Sequence, residues 1–262
     1  MITFSVFTKP WKLPIDELGA LVARLGFTAI ELPVRPGYPV DPTNAATELP
    51  AAVKTLSRHA VTIDSVAGNA DEPTIRACAA AGVGTIRVMA RIEGGDYLGS
   101  VDRLRAQYEQ LVPALSQHGV RLGVQNHNGR NVPNALGLRH LLRGFDPRQV
   151  CAVWDAAHEA LQGGDPDLAI DVVWEHLGLV NLKNAFWRRA TGPEAEDVAW
   201  RPYWTTGRQG LASWPKVAAE LTRRGYEGTV CLTAEYSDES AVERLVAEDL
   251  AYARSLFADR AG

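Results

Sequence analysis

The side chains that could do chemistry in this chain stand where apolar runs give way to polar turns. Gln125 in GVQNH, Asp155 in WDAAH, Asn181 in VNLKN and Thr233 in CLTAE all occupy such positions, and Asp155 alone among them carries a charge. Gathered on one rim, they would line a single pocket able to position substrate hydroxyls or a weakly held cation. Asp155 and His158 lie three apart where a strand gives way to a turn or helix. Such a pair can ligate a cation, or the carboxylate can orient the imidazole as an acid or base. Gln125 and His127 alternate across Asn126 and so share one strand face, as do Asn181 with Lys183 and Thr233 with Glu235. Lys183 could bind an anionic group, stabilise an enolate or move a proton, or it could form a buried ion pair with Asp155 or Glu235.

Two further strand ends add charge. Glu31 in AIELP is either a hydroxyl acceptor or general base, or a rim carboxylate paired with a neighbour such as Arg35. Arg87 and Arg91 in TIRVMAR either neutralise an acid such as Glu31 or hold an anionic substrate group. Arg87, Arg91, Arg130 and Arg208 are the candidates should the substrate carry phosphate.

The elements that must position these groups follow from periodicity. Short β-branched runs at 2–7, 27–32, 61–66, 84–89, 120–126, 150–155, 178–183 and 228–234 alternate with helical segments near 14–25, 44–59, 70–81, 99–118, 133–143, 165–176, 211–224 and 238–257. Glycine closes a helix before the next strand in RLGFTAI, AAGVGTI, QHGVRLG and RRGYEGTV. Eight such units predict one (β/α)8 barrel over residues 1–262, a length close to the roughly 250 residues typical of that fold. An open doubly wound sheet of six or seven units is the competing architecture, and the first strand lacks a GxGxxG to support a dinucleotide site. The joint at 185–210 is long and aromatic, with Phe186, Trp187, Trp200, Tyr203 and Trp204, which predicts a lid or subunit contact with Trp187 against the substrate.

Composition narrows the partners. A formal charge of -4 and the absence of a basic stretch interleaved with aromatics speak against nucleic acid. Lys9 and Pro10 interrupt the N-terminal apolar run too early for a signal peptide or membrane span. Cys78, Cys151 and Cys231 are far apart and read as reduced thiols, so the expectation is a cytoplasmic protein, with a homo-oligomer left open.

The fragments GFTAIELP, GVRLGVQNH, VWDAAH, LVNLKNA and GYEGTVCLTAE resemble the xylose isomerase-like TIM-barrel superfamily over nearly the whole chain. That resemblance implies a sugar or polyol isomerase or epimerase, acting by proton transfer beside a carbonyl. A related dehydratase and a non-catalytic carbohydrate-binding barrel are the alternatives. It also implies metal ligands Glu, Asp, His and Glu on the last four strands, at the positions held here by Gln125, Asp155, Asn181 and Thr233. Three of the four differ, and a glutamine or asparagine there keeps an oxygen but removes charge and basicity. His158 matches a further histidine of the family, and Lys183 matches the lysine of its HxKD segment, whose aspartate is Asn184 here. Zinc and the DNA-repair chemistry of some members are thereby disfavoured. The expectation is a weakly bound Mg2+ or Mn2+ on Asp155, Gln125 and Glu235. Glu31, His127, His158, Lys183 and Glu235 are the candidate acid, base and electrophilic groups, while Arg87, Gln125, Asn181, Thr233 and Trp187 would bind substrate.

Overall fold

A computed structural model describes residues 2–258. Eight parallel strands close into a barrel: β1 (Thr3–Phe7), β2 (Ala29–Pro33), β3 (Thr62–Ala67), β4 (Thr85–Met89), β5 (Arg121–Gln125), β6 (Val150–Asp155), β7 (Leu177–Leu182) and β10 (Thr229–Leu232). A separate antiparallel pair, β8 (Asn184–Arg189) and β9 (Trp200–Thr205), follows β7. The barrel order β1-β10-β7-β6-β5-β4-β3-β2 closes in chain order, so the open-sheet alternative falls away. Helices α1 (Ile15–Arg24), α2 (Ala45–Ser57), α3 (Glu72–Ala81), α4 (Tyr97–His118), α5 (Ala135–Leu142), α6 (Ala156–Leu161), α7 (Pro166–Val173), α8 (Trp214–Arg223) and α9 (Val242–Ala258) surround it.

Apolar strand residues such as Val6, Ile30, Val66, Ile86, Val124, Val153 and Val180 are buried, as a parallel sheet covered by helices demands. The larger core lies between strands and helices, with Ile30, Leu49, Ile86, Trp154, Val217 and Leu250 among its members. A smaller cluster of Phe7, Ala67, Val153, Leu179 and Cys231 unites side chains from five of the barrel strands. All three cysteines are buried and free. Gly82 and Gly119 close α3 and α4 with φ of 71° and 63°, a left-handed turn that a Cβ would strain.

Three local irregularities shape the C-terminal rim. The β2–β3 register shifts between Ile30 and Glu31 and sets Glu31 opposite Ser65. The β6–β7 register shifts between Ala152 and Val153 and sets Asp155 opposite Asn181. Shifts of this kind re-aim side chains beside functional rims. Ala234 adopts φ 50°, at a cost of about 1–2 kcal/mol for a residue with a Cβ. The last barrel strand therefore stops at Leu232, and the extended geometry expected to carry Thr233 and Glu235 on one face is replaced by a turn.

The sixth unit also differs from expectation. Between β6 and the anticipated helix lies α6, only six residues long, which starts directly after Asp155. A helix this short has little period to read. The 185–210 segment is not an irregular loop: β8 and β9 pair from Asn184↔Thr205 to Arg189↔Trp200.

Candidate functional site

The polar strand ends meet at the C-terminal mouth as one hydrogen-bonded row. Glu31 is fully buried and receives both Nε and Nη2 of Arg87, the contacts falling between 2.5 and 2.9 Å. Its partner is thus Arg87 rather than Arg35, while Ser65 donates to Glu31 Oε2 at 3.2 Å. Arg87 Nη1 donates to Gln125 Oε1 at 2.6 Å, and Gln125 Nε2 donates to Asp155 Oδ2 at 2.8 Å. Asn181 Nδ2 reaches the same Oδ2 at 3.4 Å. The other oxygen, Oδ1, accepts the backbone N–H groups of Ala157 and His158 at 3.1 Å each, so Asp155 also caps α6. Asn126 ties the two strands by accepting from the Asp155 N–H at 2.7 Å and donating to the Asp155 carbonyl at 3.2 Å.

A second group assembles beside this row. Lys183 and Lys9 both ion-pair with Glu235, one on each carboxylate oxygen. The Lys183 ammonium sits 3.7 Å from the centre of the Trp204 ring. Trp204 meets His158 edge-on at 5.3 Å, and His158 lies against His127 with ring centres 3.9 Å apart. One continuous stack therefore runs from His127 through His158 and Trp204 to Lys183.

Burial governs protonation here. Dehydration pulls His158 well below its ordinary value, reinforced by the positive charge of Lys183, and neither ring nitrogen has a hydrogen-bond partner. His127 is lowered for the same first reason, so both imidazoles are neutral near pH 7. His127 Nδ1 lies 2.8 Å from the Asn128 carbonyl, which can only accept. The Asn131 amide nitrogen also faces Nδ1, at the longer 3.4 Å, so the shorter carbonyl contact favours the proton on Nδ1 and leaves Nε2 with its lone pair. Burial raises Asp155 against the pull of Lys183 and of the His158 N–H. Burial would raise Glu235 as well, but Lys183 and Lys9 hold it well below the usual carboxylate range.

The donor set does not fit the divalent cation expected on Asp155, Gln125 and Glu235. Gln125 Oε1 already faces a guanidinium, Glu235 lies between two ammonium groups, and each Asp155 oxygen accepts N–H bonds. No three His, Cys, Asp or Glu side chains among the described residues group as metal ligands. The carboxylates of the rim are thus already engaged by Arg87, Lys183, Lys9 and backbone N–H groups rather than free to coordinate an ion. Asn181 keeps its Oδ1 without a partner, which leaves one acceptor for a substrate hydroxyl.

Thr233 is buried after β10. Trp187 is not brought to the mouth: it is 40% exposed and its indole N–H donates to the Leu161 carbonyl at 3.0 Å. Trp204 on the facing strand takes the inward place, because pairing with the small, buried Ala185 lets the hairpin approach the rim there. Lys9 and Asn126 complete the site without having been proposed for it, and Trp204, one of the aromatic residues named in 185–210, takes the place expected of Trp187. Lys9 was legible as a charge just past the first strand, and Asn126 as a polar residue between two candidates.

Two cavities open on this rim. One of about 450 Å³ is lined by Lys9, Tyr38, Trp204, Glu235 and their neighbours. The other, about 690 Å³, lies over β2, β4 and the turn after β5, with Arg87 in its wall.

A closed parallel barrel defines a TIM-barrel protein, and its charged mouth at the C-terminal ends of the strands is the candidate site. The family model described as a xylose isomerase-like TIM barrel matches residues 20–256, and the chain belongs to that family. No curated protein is similar to it by sequence. Among solved structures, D-psicose 3-epimerase from Clostridium cellulolyticum H10, determined with D-tagatose, is 14% identical with a TM-score of 0.75, over 97% of this chain and 99% of that one. The probable 3-DHS dehydratase AsbF from Bacillus anthracis is 14% identical with a TM-score of 0.71, over 95% and 97%. The 3-keto-D-glucoside 4-epimerase YcjR from E. coli is 13% identical with a TM-score of 0.73, over 97% and 100%. At such identities these likenesses establish the fold. Among the described residues no helix is long and apolar enough to cross a membrane.

Proposed function

We propose that this protein is an isomerase or epimerase of a small sugar or polyol derivative, acting by proton transfer beside a carbonyl with side chains in place of a metal. The observation that carries this reading is the stack joining a neutral His127, with a free Nε2, to the Lys183 ammonium. His127 Nε2 removes the proton from the carbon beside the carbonyl, and the electron pair moves onto the carbonyl oxygen as an enolate. Lys183 stabilises that oxygen, its charge held in place by Glu235 and Trp204. Return of the proton from His127 Nε2 to the former carbonyl carbon, as the proton of the neighbouring hydroxyl passes to the enolate oxygen, completes isomerisation; protonation of the original carbon by solvent on the opposite face, with His127 releasing its proton to solvent, completes epimerisation. Asp155, Gln125, Asn181 and Thr233 orient hydroxyls, while Glu31 acts through Arg87. The sugar epimerases among the structural neighbours support the substrate class.

The hairpin supports both roles foreseen for 185–210. Trp204 supplies a wall of the mouth, and the exposed Val198 and Trp200 suit a contact between subunits.

A second reading is a carbohydrate-binding barrel without catalysis, favoured by the fact that Glu31 and Glu235 are already neutralised by ion pairs. Incubation with ketoses and polyol ketones in D2O separates the two readings. The expected result is deuterium at the carbon beside the carbonyl, abolished by His127→Gln. A ligand that binds tightly yet gains no deuterium would favour the binding barrel.

A further inference from the structure

We infer that the cavity of about 690 Å³ is an anion subsite, and that the natural ligand carries a carboxylate or phosphate at the end remote from Lys183. This deepens the proposed function and rests on it for the identity of the reacting end.

The cavity wall holds four arginines, Arg35, Arg87, Arg91 and Arg130, and includes no aspartate or glutamate. Glu31 neutralises Arg87. Among the described residues Arg35, Arg91 and Arg130 ion-pair with no carboxylate, in a protein whose net charge is -4. Concentrating unpaired cations in one concavity of an acidic protein costs self-repulsion that a bound anion removes. Burial first, and then the nearby Arg87 charge, lower the Arg35 pKa, while Glu31 and Glu235 raise it. Both guanidinium groups lie over the ring of Phe7, with centroid distances of 5.5 Å for Arg35 and 4.5 Å for Arg87.

The backbone that carries these side chains is fixed. A backbone bridge between Arg91 and Asn131 and a bond from Ile92 N–H to the Arg130 carbonyl at 2.9 Å clamp the turns after β4 and β5 together. Asn69, Gln107 and Asn131 add amides to the wall. Tyr108 also lines it and is 1% exposed. Forked guanidinium donors and neutral N–H and O–H groups together match the oxygens of a phosphate or carboxylate. Arg87 spans both regions, pointing Nη1 to Gln125 while lining the cavity, so an anion there would be joined to the reacting centre through one rigid side chain.

The test uses the whole protein and does not depend on knowing the substrate. Inorganic phosphate, glycolate and neutral glycerol are titrated separately at low ionic strength, and the arginine Nε–H resonances are followed by NMR. Saturable shifts confined to Arg35, Arg87, Arg91 and Arg130 are expected with at least one anion and absent with glycerol. Stronger binding of phosphate would assign a phosphorylated ligand, and stronger binding of glycolate an acid. Arg91→Ala with Arg130→Ala, both at exposed positions, is expected to weaken anion binding by roughly tenfold or more. No saturable shift with either anion, or shifts unaltered in the double variant, would overturn the subsite. Because nothing turns over in this titration, its outcome is independent of the D2O experiment, so the two readings can fail separately.

Discussion

Replacing Arg87 by methionine tests the architecture of the mouth most directly. The side chain is 4% exposed and its partner Glu31 is 0% exposed, so the pair is shielded from water and salt. Methionine preserves much of the volume but leaves the Glu31 carboxylate with Ser65 as its remaining side-chain donor. Stranding one member of a buried pair costs about 3–5 kcal/mol. Gln125 Oε1 loses its donor as well, a further cost of about 1–3 kcal/mol that is not additive because the groups share one network. Taking about 4 kcal/mol in all, and about 2–4 °C per kcal/mol for a chain of this size, Tm should fall by roughly 8–16 °C. Adding Glu31→Gln removes the stranded charge and should recover about half of that loss. Thermal unfolding followed by circular dichroism at pH 7 reads both changes. A single variant within about 2 °C of wild type, or a double variant no more stable than the single one, would refute the buried-pair reasoning.

Four other predictions follow from the same geometry. His158 is held far below its ordinary value by burial and Lys183, so it stays neutral in the native state and protonates on unfolding. Its contribution is present above about pH 6.5 and is lost as pH falls, at no more than about 1.4 kcal/mol per pH unit. His158→Gln should flatten the urea-measured stability between about pH 6.5 and 5, and an unchanged slope would count against a neutral buried imidazole. Glu235 has a depressed value of the same sign, but its loss begins only below the unfolded carboxylate pKa of about 4.3, so Glu235→Gln should act in that separate acid window. Lys183→Met should lower deuterium exchange about 10²–10³-fold with little change in Tm, because Lys9 still pairs Glu235; exchange that persists would remove Lys183 from the chemistry. Elemental analysis of protein purified without chelator should find no stoichiometric divalent ion, and EDTA should leave Tm unchanged; one ion per chain would show the rim donors rearrange to accept it.

The barrel was legible because its evidence is local. A buried strand needs a short β-branched run, and a helix that must stop before the next strand needs a residue tolerant of positive φ, as at Gly82 and Gly119. The rim positions were legible for the same reason: Gln125, Asp155 and Asn181 end or nearly end their strands. The six-residue α6 and the β8–β9 pair were not, since the first is too short for a period and the second depends on pairing across a turn. The face shared by Thr233 and Glu235 failed at one residue, Ala234, whose left-handed backbone no composition rule announces.

Pairing belonged to the tertiary structure. Sequence left both Arg35 and Arg87 as partners for Glu31; the structure selects Arg87, which reaches it from β4 across β3, whose rim residues Ser65 and Ala67 are small. Trp204 rather than Trp187 faces Lys183 because hairpin register, not aromatic content, sets which indole turns inward. The sequence by itself determined the order of the strands and the chemical types gathered at their ends, since both follow from hydrophobic period and capping along the chain. Closure of the barrel decided which of those groups neutralise one another and where, among the described residues, Arg35, Arg91 and Arg130 are left without a carboxylate ion pair. Electrostatic pairing depends on distances of a few ångströms between residues far apart in the chain, and those distances exist only after the strands have closed into a ring.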